Sequence, residues 1–275
     1  MRARPVLKWA GGKTQLLDRV LARLPQRIRT YYEPFVGGGA VFFALAEEGR
    51  FERAVLSDTN EDLLSVYRAL QGDVDALLSA LRRLARAHGR EHYYRVRSSK
   101  PRGLVQRAAR MIYLNKTGYN GLYRVNSRGE FNVPFGRYEN PSIVNEPVLR
   151  NAARVLSRVR LETGDFQEVC TRARRGDAVY FDPPYLPLSK TSNFAAYDRT
   201  PFALESHERL AEVFAALGRR GVAAVLSNSL TPDTKRLFAS FEHEVVQVTR
   251  PINSKSTGRG RIPELLVENR PKRRR

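Results

Sequence analysis

Residues 30–58 constrain the fold more than any other stretch. Thr30-Tyr31-Tyr32-Glu33-Pro34-Phe35 reads as a strand, Val36-Gly37-Gly38-Gly39 as a turn, and Ala40 to Glu48 as a helix. A second strand, Ala54-Val55-Leu56-Ser57, ends at Asp58, about 20 residues after the glycines. This is the opening of a nucleotide-binding α/β unit, where the acid closing the second strand meets a ribose diol. The glycines let a ligand approach the main chain closely. No further glycine stands three residues on, which argues against a dinucleotide. Asp58 has a plainer reading too, as the N-cap of a helix beginning at Glu61.

Upstream, Gly12-Lys13-Thr14 looks like the end of a phosphate-binding loop, but Leu7 occupies the place of its first glycine. Trp9 is the chain's single tryptophan and sits beside two glycines and two lysines. It reads either as a core anchor or as a wall of the cofactor pocket, with Lys13 near a carboxylate.

The run Ala178-Val179-Tyr180-Phe181 reads as a buried strand that delivers Asp182-Pro183-Pro184-Tyr185 at its end. An aromatic amine is a poor nucleophile because its lone pair is delocalised into the ring. The Asp182 carboxylate can accept one N–H of such an amine and the Pro183 carbonyl the other, which favours a pyramidal nitrogen. Proline fixes φ and removes a donor, so the turn presents stiff acceptors. Tyr185 can stack on the ring. The plainer reading is a loop opening after a strand, since Asp and Pro often begin turns.

Taken in order, these segments resemble the Dam-type DNA adenine-N6 methyltransferases. The likeness is carried by Lys8-Trp9-Ala10-Gly11-Gly12-Lys13, Glu33-Pro34-Phe35-Val36-Gly37-Gly38-Gly39, Asp58 and Asp182-Pro183-Pro184-Tyr185. Tyr113 to Asn126 (containing Lys116-Thr117-Gly118-Tyr119-Asn120-Gly121-Leu122) and Gly129 to Tyr138 continue it. It spans about residue 6 to about residue 269. The resemblance implies S-adenosylmethionine as methyl donor and no metal. The cofactor site would comprise Trp9, Ala10, Lys13, Phe35, Gly37, Gly39, Asp58, Asp165, Phe166 and Asp182. Asp165 would accept from the cofactor's adenine amine and Phe166 would pack on its ring; Asp165 could also be a surface-turn residue. Positions matching Lys8, Leu122, Arg124 and Pro134 contact target bases in that family. Those matching Tyr119, Asn120 and Arg137 support the DNA or fill the gap left by a flipped adenine. Tyr138 belongs to the same basic, aromatic stretch. The match suggests GATC as the site.

Charge agrees with a polyanionic partner. The 275 residues carry 48 basic and 28 acidic side chains, a net charge of +20. Because 40 of the basic residues are Arg, a compositional bias toward arginine is the competing explanation. The lone Cys170 excludes an internal disulfide. Only His88, His92, His207 and His243 are available, with no metal-ligand spacing. His88 and His92 read as a solvated surface pair. No apolar run has the length of a membrane span and no signal peptide is visible. Double-stranded DNA is therefore the expected partner of a cytoplasmic chain, monomeric in solution.

The fold class expected is α/β: a Rossmann-like methyltransferase sheet with an inserted helical and β-hairpin DNA-recognition domain. Strands near 31–35, 54–57, 160–162, 178–181, 222–227, 245–248 and 265–267 build the sheet. Residues 1–60 and 151–270 form the discontinuous catalytic domain, 61–150 the insertion, and 271–275 a basic tail. Within the insertion, stripes such as Leu77, Leu78, Leu81 and Leu84 read as helix core. Leu122–Val125 and Phe131–Val133 read as hairpin strands around Asn126-Ser127-Arg128-Gly129. Some polar residues there, Asn120 and Asn126 among them, could simply shape turns.

A paired adenine hides its amine inside the duplex, so it must be flipped out to react. Ser192, Phe194 and Tyr197 follow the Asp182 turn and read as a closing loop. Arg250 to Arg261 reads as a phosphate-binding segment. Three alternatives share parts of this pattern: a cytosine-N4 methyltransferase, an RNA methyltransferase, and a DNA-binding protein without catalysis.

Overall fold

The computed structural model describes residues 2–9, 15–186, 202–249 and 261–271. Ala10, Lys13, the segment with Ser192, Phe194 and Tyr197, residues 250–260 and the tail from 272 lie outside the described residues.

Seven strands form one sheet: β1 (Ile28–Glu33), β2 (Phe51–Asp58), β3 (Val159–Thr163), β4 (Ala178–Phe181), β5 (Ala223–Ser229), β6 (Phe241–Thr249) and β7 (Arg261–Pro271). Their order is β3-β2-β1-β4-β5-β7-β6. The first five run parallel, and β7 is antiparallel to both β5 and β6. β4 lies between β1 and β5, which is why all four of its residues are buried. Alternation along it splits the core. Tyr180 joins Tyr31 and Leu56 on one face, while Val179 and Phe181 join Tyr32 and Phe214 on the other.

The first face is covered by α1 (Leu17–Arg23), α2 (Ala40–Glu47), α3 (Glu61–Gly72), α4 (Val74–Arg86), α5 (Arg90–Ser98), α6 (Leu104–Thr117) and α7 (Glu146–Leu156). The second is covered by α8 (Phe166–Cys170), α9 (Leu204–Arg219) and α10 (Pro232–Leu237). Local chemistry sets the helix starts. Asn60, Asp73 and Asn145 each accept a main-chain N–H as the N-cap of α3, α4 and α7. The cap of α3 is thus Asn60 and not Asp58.

Residues 61–117 share one continuous buried cluster with the sheet, and α3 packs directly on β2 and β3. The expected hairpin is shorter than the sequence suggests. Val125 and Phe131 form an isolated bridge, and two main-chain bonds flank it: Asn126 N–H to the Glu130 carbonyl and Asn132 N–H to the Arg124 carbonyl. His88 and His92 also depart from expectation. Both are half-buried with their rings edge-on to Tyr113, and burial lowers their pKa.

Candidate active site and nucleic-acid interface

In a sheet of this order the strand sequence reverses between β1 and β4, and the crevice at their C-terminal ends is where ligands bind. The chain puts both of its sharpest motifs there. Pro34 to Gly39 leaves β1, and Asp182 to Tyr185 leaves β4.

The glycine turn is held from three sides. Gly37 and Gly39 have φ of 46° and 70°. A Cβ on Gly37 would lie 2.8 Å from Trp9 Cδ1, and one on Gly39 would lie 2.8 Å from Tyr67 Oη. The Tyr67 hydroxyl donates to the Gly37 carbonyl at 2.8 Å. From β2, Asp58 Oδ2 accepts the Gly37 N–H at 3.1 Å, and Oδ1 accepts the Asn60 N–H at 3.0 Å. Trp9 is half-buried, lying over the turn and stacked on Tyr123 at 5.4 Å. It therefore anchors the glycine turn that it covers.

Behind the Asp182 turn lies a buried polar chain. Ser227 Oγ donates to Asp182 Oδ1 at 3.2 Å and sits 2.8 Å from Tyr180 Oη. Because the serine proton is used on Asp182, Tyr180 donates to Ser227. Burial and then the charge of Asp182 hold the Tyr180 and Tyr185 phenols well above their ordinary pKa. The Tyr185 hydroxyl donates to Glu264 Oε2 on β7 at 2.9 Å. Pro183 is buried and Pro184 exposed.

Glu33 was not singled out by the sequence. It closes β1, is 2 % exposed, and accepts from the Tyr31 hydroxyl at 2.8 Å and the Phe42 N–H at 3.1 Å. Burial pushes its pKa to about 8, with the charge of Asp182 adding to the shift. Its signal in the sequence was only its place beside Pro34-Phe35.

Asp165 caps α8 through Gln167 N–H at 2.8 Å and pairs with Arg209 at 2.6 Å. Phe166 is 2 % exposed, packed against Phe35 and Phe202, with the Arg209 guanidinium 4.8 Å over its ring. The ring expected to pack on a ligand is thus a core residue, and its neighbour Phe35 is more accessible.

The residues expected to meet DNA gather on one surface. The Tyr119 N–H bonds the Pro134 carbonyl at 2.9 Å, and the Gly136 N–H bonds the Thr117 carbonyl at 2.8 Å. These bonds lay residues 117–122 beside 133–138. Tyr119 and Tyr138 are 51 % and 40 % exposed, a large apolar display with Lys8, Arg124, Pro134 and Arg137 also exposed. Asn120 and Leu122 are half-buried. Asn120 and Arg137 have φ of 54° and 51°, the only positive values at non-glycine residues among the described residues. Asn tolerates that conformation; for Arg it stores strain of the kind found at functional sites. Arg124 bonds Asn132 Oδ1 through Nε at 2.7 Å.

A family model for D12 class N6 adenine-specific DNA methyltransferases matches residues 9–252. The chain belongs to this family. The methyltransferase is 43 % identical to the type II methyltransferase M.MjaIII of Methanocaldococcus jannaschii, over 98 % of this chain and 100 % of the relative. It is 40 % identical to the type II methyltransferase M1.LlaDCHI of Lactococcus lactis subsp. cremoris, over 97 % and 95 %. It is 39 % identical to the DNA adenine methylase of Escherichia coli strain K12, over 98 % and 96 %. The enzyme is thus an adenine-specific DNA methyltransferase, and its cofactor is S-adenosylmethionine. No helix among the described residues is long and apolar enough to cross a membrane.

Proposed function

We propose that this enzyme methylates the adenine of GATC in double-stranded DNA, after the base has been rotated out of the duplex. The observation that carries the reading is the placement of the Asp182 turn directly across the β1–β4 crevice from the glycine turn. Two binding surfaces facing one crevice suit a transfer between two bound molecules. Relatives with the name DNA adenine methylase support the substrate.

The residues fit the cofactor. Asp58 is aimed at the turn it stabilises and can take a ribose diol, while Trp9 and Phe35 offer ring faces beside Gly37 to Gly39. When bound, S-adenosylmethionine supplies an electrophilic methyl group on a sulfonium. Asp182 and the Pro183 carbonyl accept the two N6–H bonds of the extruded adenine, and Tyr185 stacks on its ring. With the cofactor bound, Asp182, Pro183 and Tyr185 would aim the N6 lone pair at that methyl group. One N6 proton leaves toward Asp182 or water. Asp182 orients the amine and favours its pyramidal form; a carboxylate is too weak a base to deprotonate it beforehand. Near-attack positioning supplies much of the rate.

Tyr119, Asn120, Arg137 and Tyr138 would support the strand around the vacated position. Lys8, Leu122, Arg124 and Pro134 would read the neighbouring bases. Residues 61–150 act as the recognition element, set on the same core as the sheet. The test is to methylate plasmid DNA with the purified protein and map the modified bases. N6-methyladenine confined to GATC supports the reading, and modification at another sequence overturns the site assignment.

A further inference from the structure

Asn115 lies near the end of α6 and is 3 % exposed. Its Oδ1 accepts the Lys8 N–H at 2.8 Å. Its Nδ2 donates to the Lys8 carbonyl at 2.7 Å and to the Gly121 carbonyl at 3.0 Å. The side-chain amide thus pairs with residue 8 as a neighbouring strand would. Its remaining N–H goes to the turn Tyr119–Gly121. Three main-chain groups from two segments far apart in sequence are satisfied by one side chain. The Lys8 stem then runs over that turn: Gly121 has φ of 64°, and a Cβ there would lie 2.7 Å from Lys8 Cδ. The next residue, Trp9, covers Gly37 and Gly38. A lysine stem is long and flexible, so the base its ammonium can reach depends on where its main chain is held.

We infer that Asn115 is a positioning residue that fixes Lys8 against the recognition turn and thereby sets base discrimination. The inference rests on the reading of Lys8 as a base contact. The partner of a lysine in the major groove is the O6 and N7 edge of a guanine. Asn115 itself touches no DNA; it acts by holding residue 8 in register with Tyr119 to Leu122.

The experiment is a double-mutant cycle on Lys8→Ala and Asn115→Asp. Competition binding is measured with a GATC duplex and with duplexes altered at one base pair, cofactor present. Aspartate keeps an acceptor for the Lys8 N–H and loses both donors. The expected result is a loss of roughly tenfold in discrimination at the base pair that Lys8→Ala also affects. In the Lys8→Ala background Asn115→Asp should add less than about twofold. Cofactor affinity without DNA should stay within about twofold of wild type. Additive losses, or a loss spread evenly over all duplexes, would overturn the inference while leaving Lys8 as a base contact. A Lys8→Ala variant with unchanged discrimination would overturn both readings. If Asn115→Asp lacks the wild-type melting transition, Asn115→Ser enters the same cycle, since one hydroxyl cannot bridge both segments.

Discussion

The Tyr185 hydroxyl donates to Glu264 at 2.9 Å, joining the turn after β4 to the antiparallel strand β7, 79 residues away in sequence. The phenol stays protonated, because burial and nearby carboxylates raise its pKa well above normal. It therefore remains a donor near neutral pH, and the ring is fixed by an anchor on the far side of β5.

Glu264→Ala should release that ring and lower the single-turnover methylation rate by about three- to tenfold, the worth of one hydrogen bond. Glu264→Gln keeps an acceptor and should stay close to wild type. Equal rates in wild type and Glu264→Ala, measured with saturating DNA and cofactor, would show that the anchor is dispensable.

Asp58→Ala should weaken S-adenosylmethionine binding by about 1.5–3 kcal/mol, since a charged acceptor for the diol is lost. Asp58→Asn should lose less, because the Gly37 N–H retains an acceptor. Calorimetry measures both. Trp9 fluorescence should respond to the cofactor in the wild type, given the ring's position over Gly37. An unchanged affinity in Asp58→Ala would assign the glycine turn to another ligand.

Glu33 makes stability depend on pH. In the folded chain it keeps its proton up to about pH 8. Unfolded, it releases that proton near an ordinary value of about 4.3. Between those values unfolding releases a proton, so the contribution of Glu33 to stability is full below about pH 4.3, falls as pH rises, and levels off above about 8. Glu33→Gln mimics the protonated form and lacks this slope. Melting temperatures at about pH 5.5 and about pH 8.5 should show the variant gaining on wild type as pH rises. Parallel curves would place the Glu33 pKa near its ordinary range.

Much of this architecture was legible in the chain, for identifiable reasons. β4 and α2 were found almost to the residue because a short apolar run and a glycine turn mark their ends. β6 and β7 were read too short, since about half of each is polar: β6 is the edge strand, and β7, paired on both sides, runs well beyond its apolar centre Leu265-Leu266-Val267. The Asp182 and Gly37 motifs are local, so sequence found them. Glu264, Ser227 and Asn115 act across 79, 45 and 107 residues, and no local pattern encodes such pairings. Asn60 took the cap expected of Asp58 because the helix begins one residue after it. Phe166 looked like a ligand-facing ring beside Asp165, and the second-face core claimed it.

Arg124 tests base reading against charge. It is exposed, and its Nε donates to Asn132 Oδ1. Arg124→Ala should cost about 1–3 kcal/mol of discrimination at one guanine. Lys255→Ala, in the basic segment 250–261, should weaken all duplexes alike and reduce the salt slope by about one. A uniform loss with a smaller salt slope in Arg124→Ala would make Arg124 a phosphate contact.

The central claim is that Asp182 holds the amine that attacks. Single-turnover methylation of a GATC duplex by Asp182→Ala, at saturating cofactor and DNA, tests it most directly. The rate should fall at least about a hundredfold, some 2.7 kcal/mol of transition-state stabilisation, with DNA affinity and melting temperature nearly unchanged. A variant retaining more than about a tenth of the wild-type rate, a loss of only ~1.4 kcal/mol, would contradict the assignment.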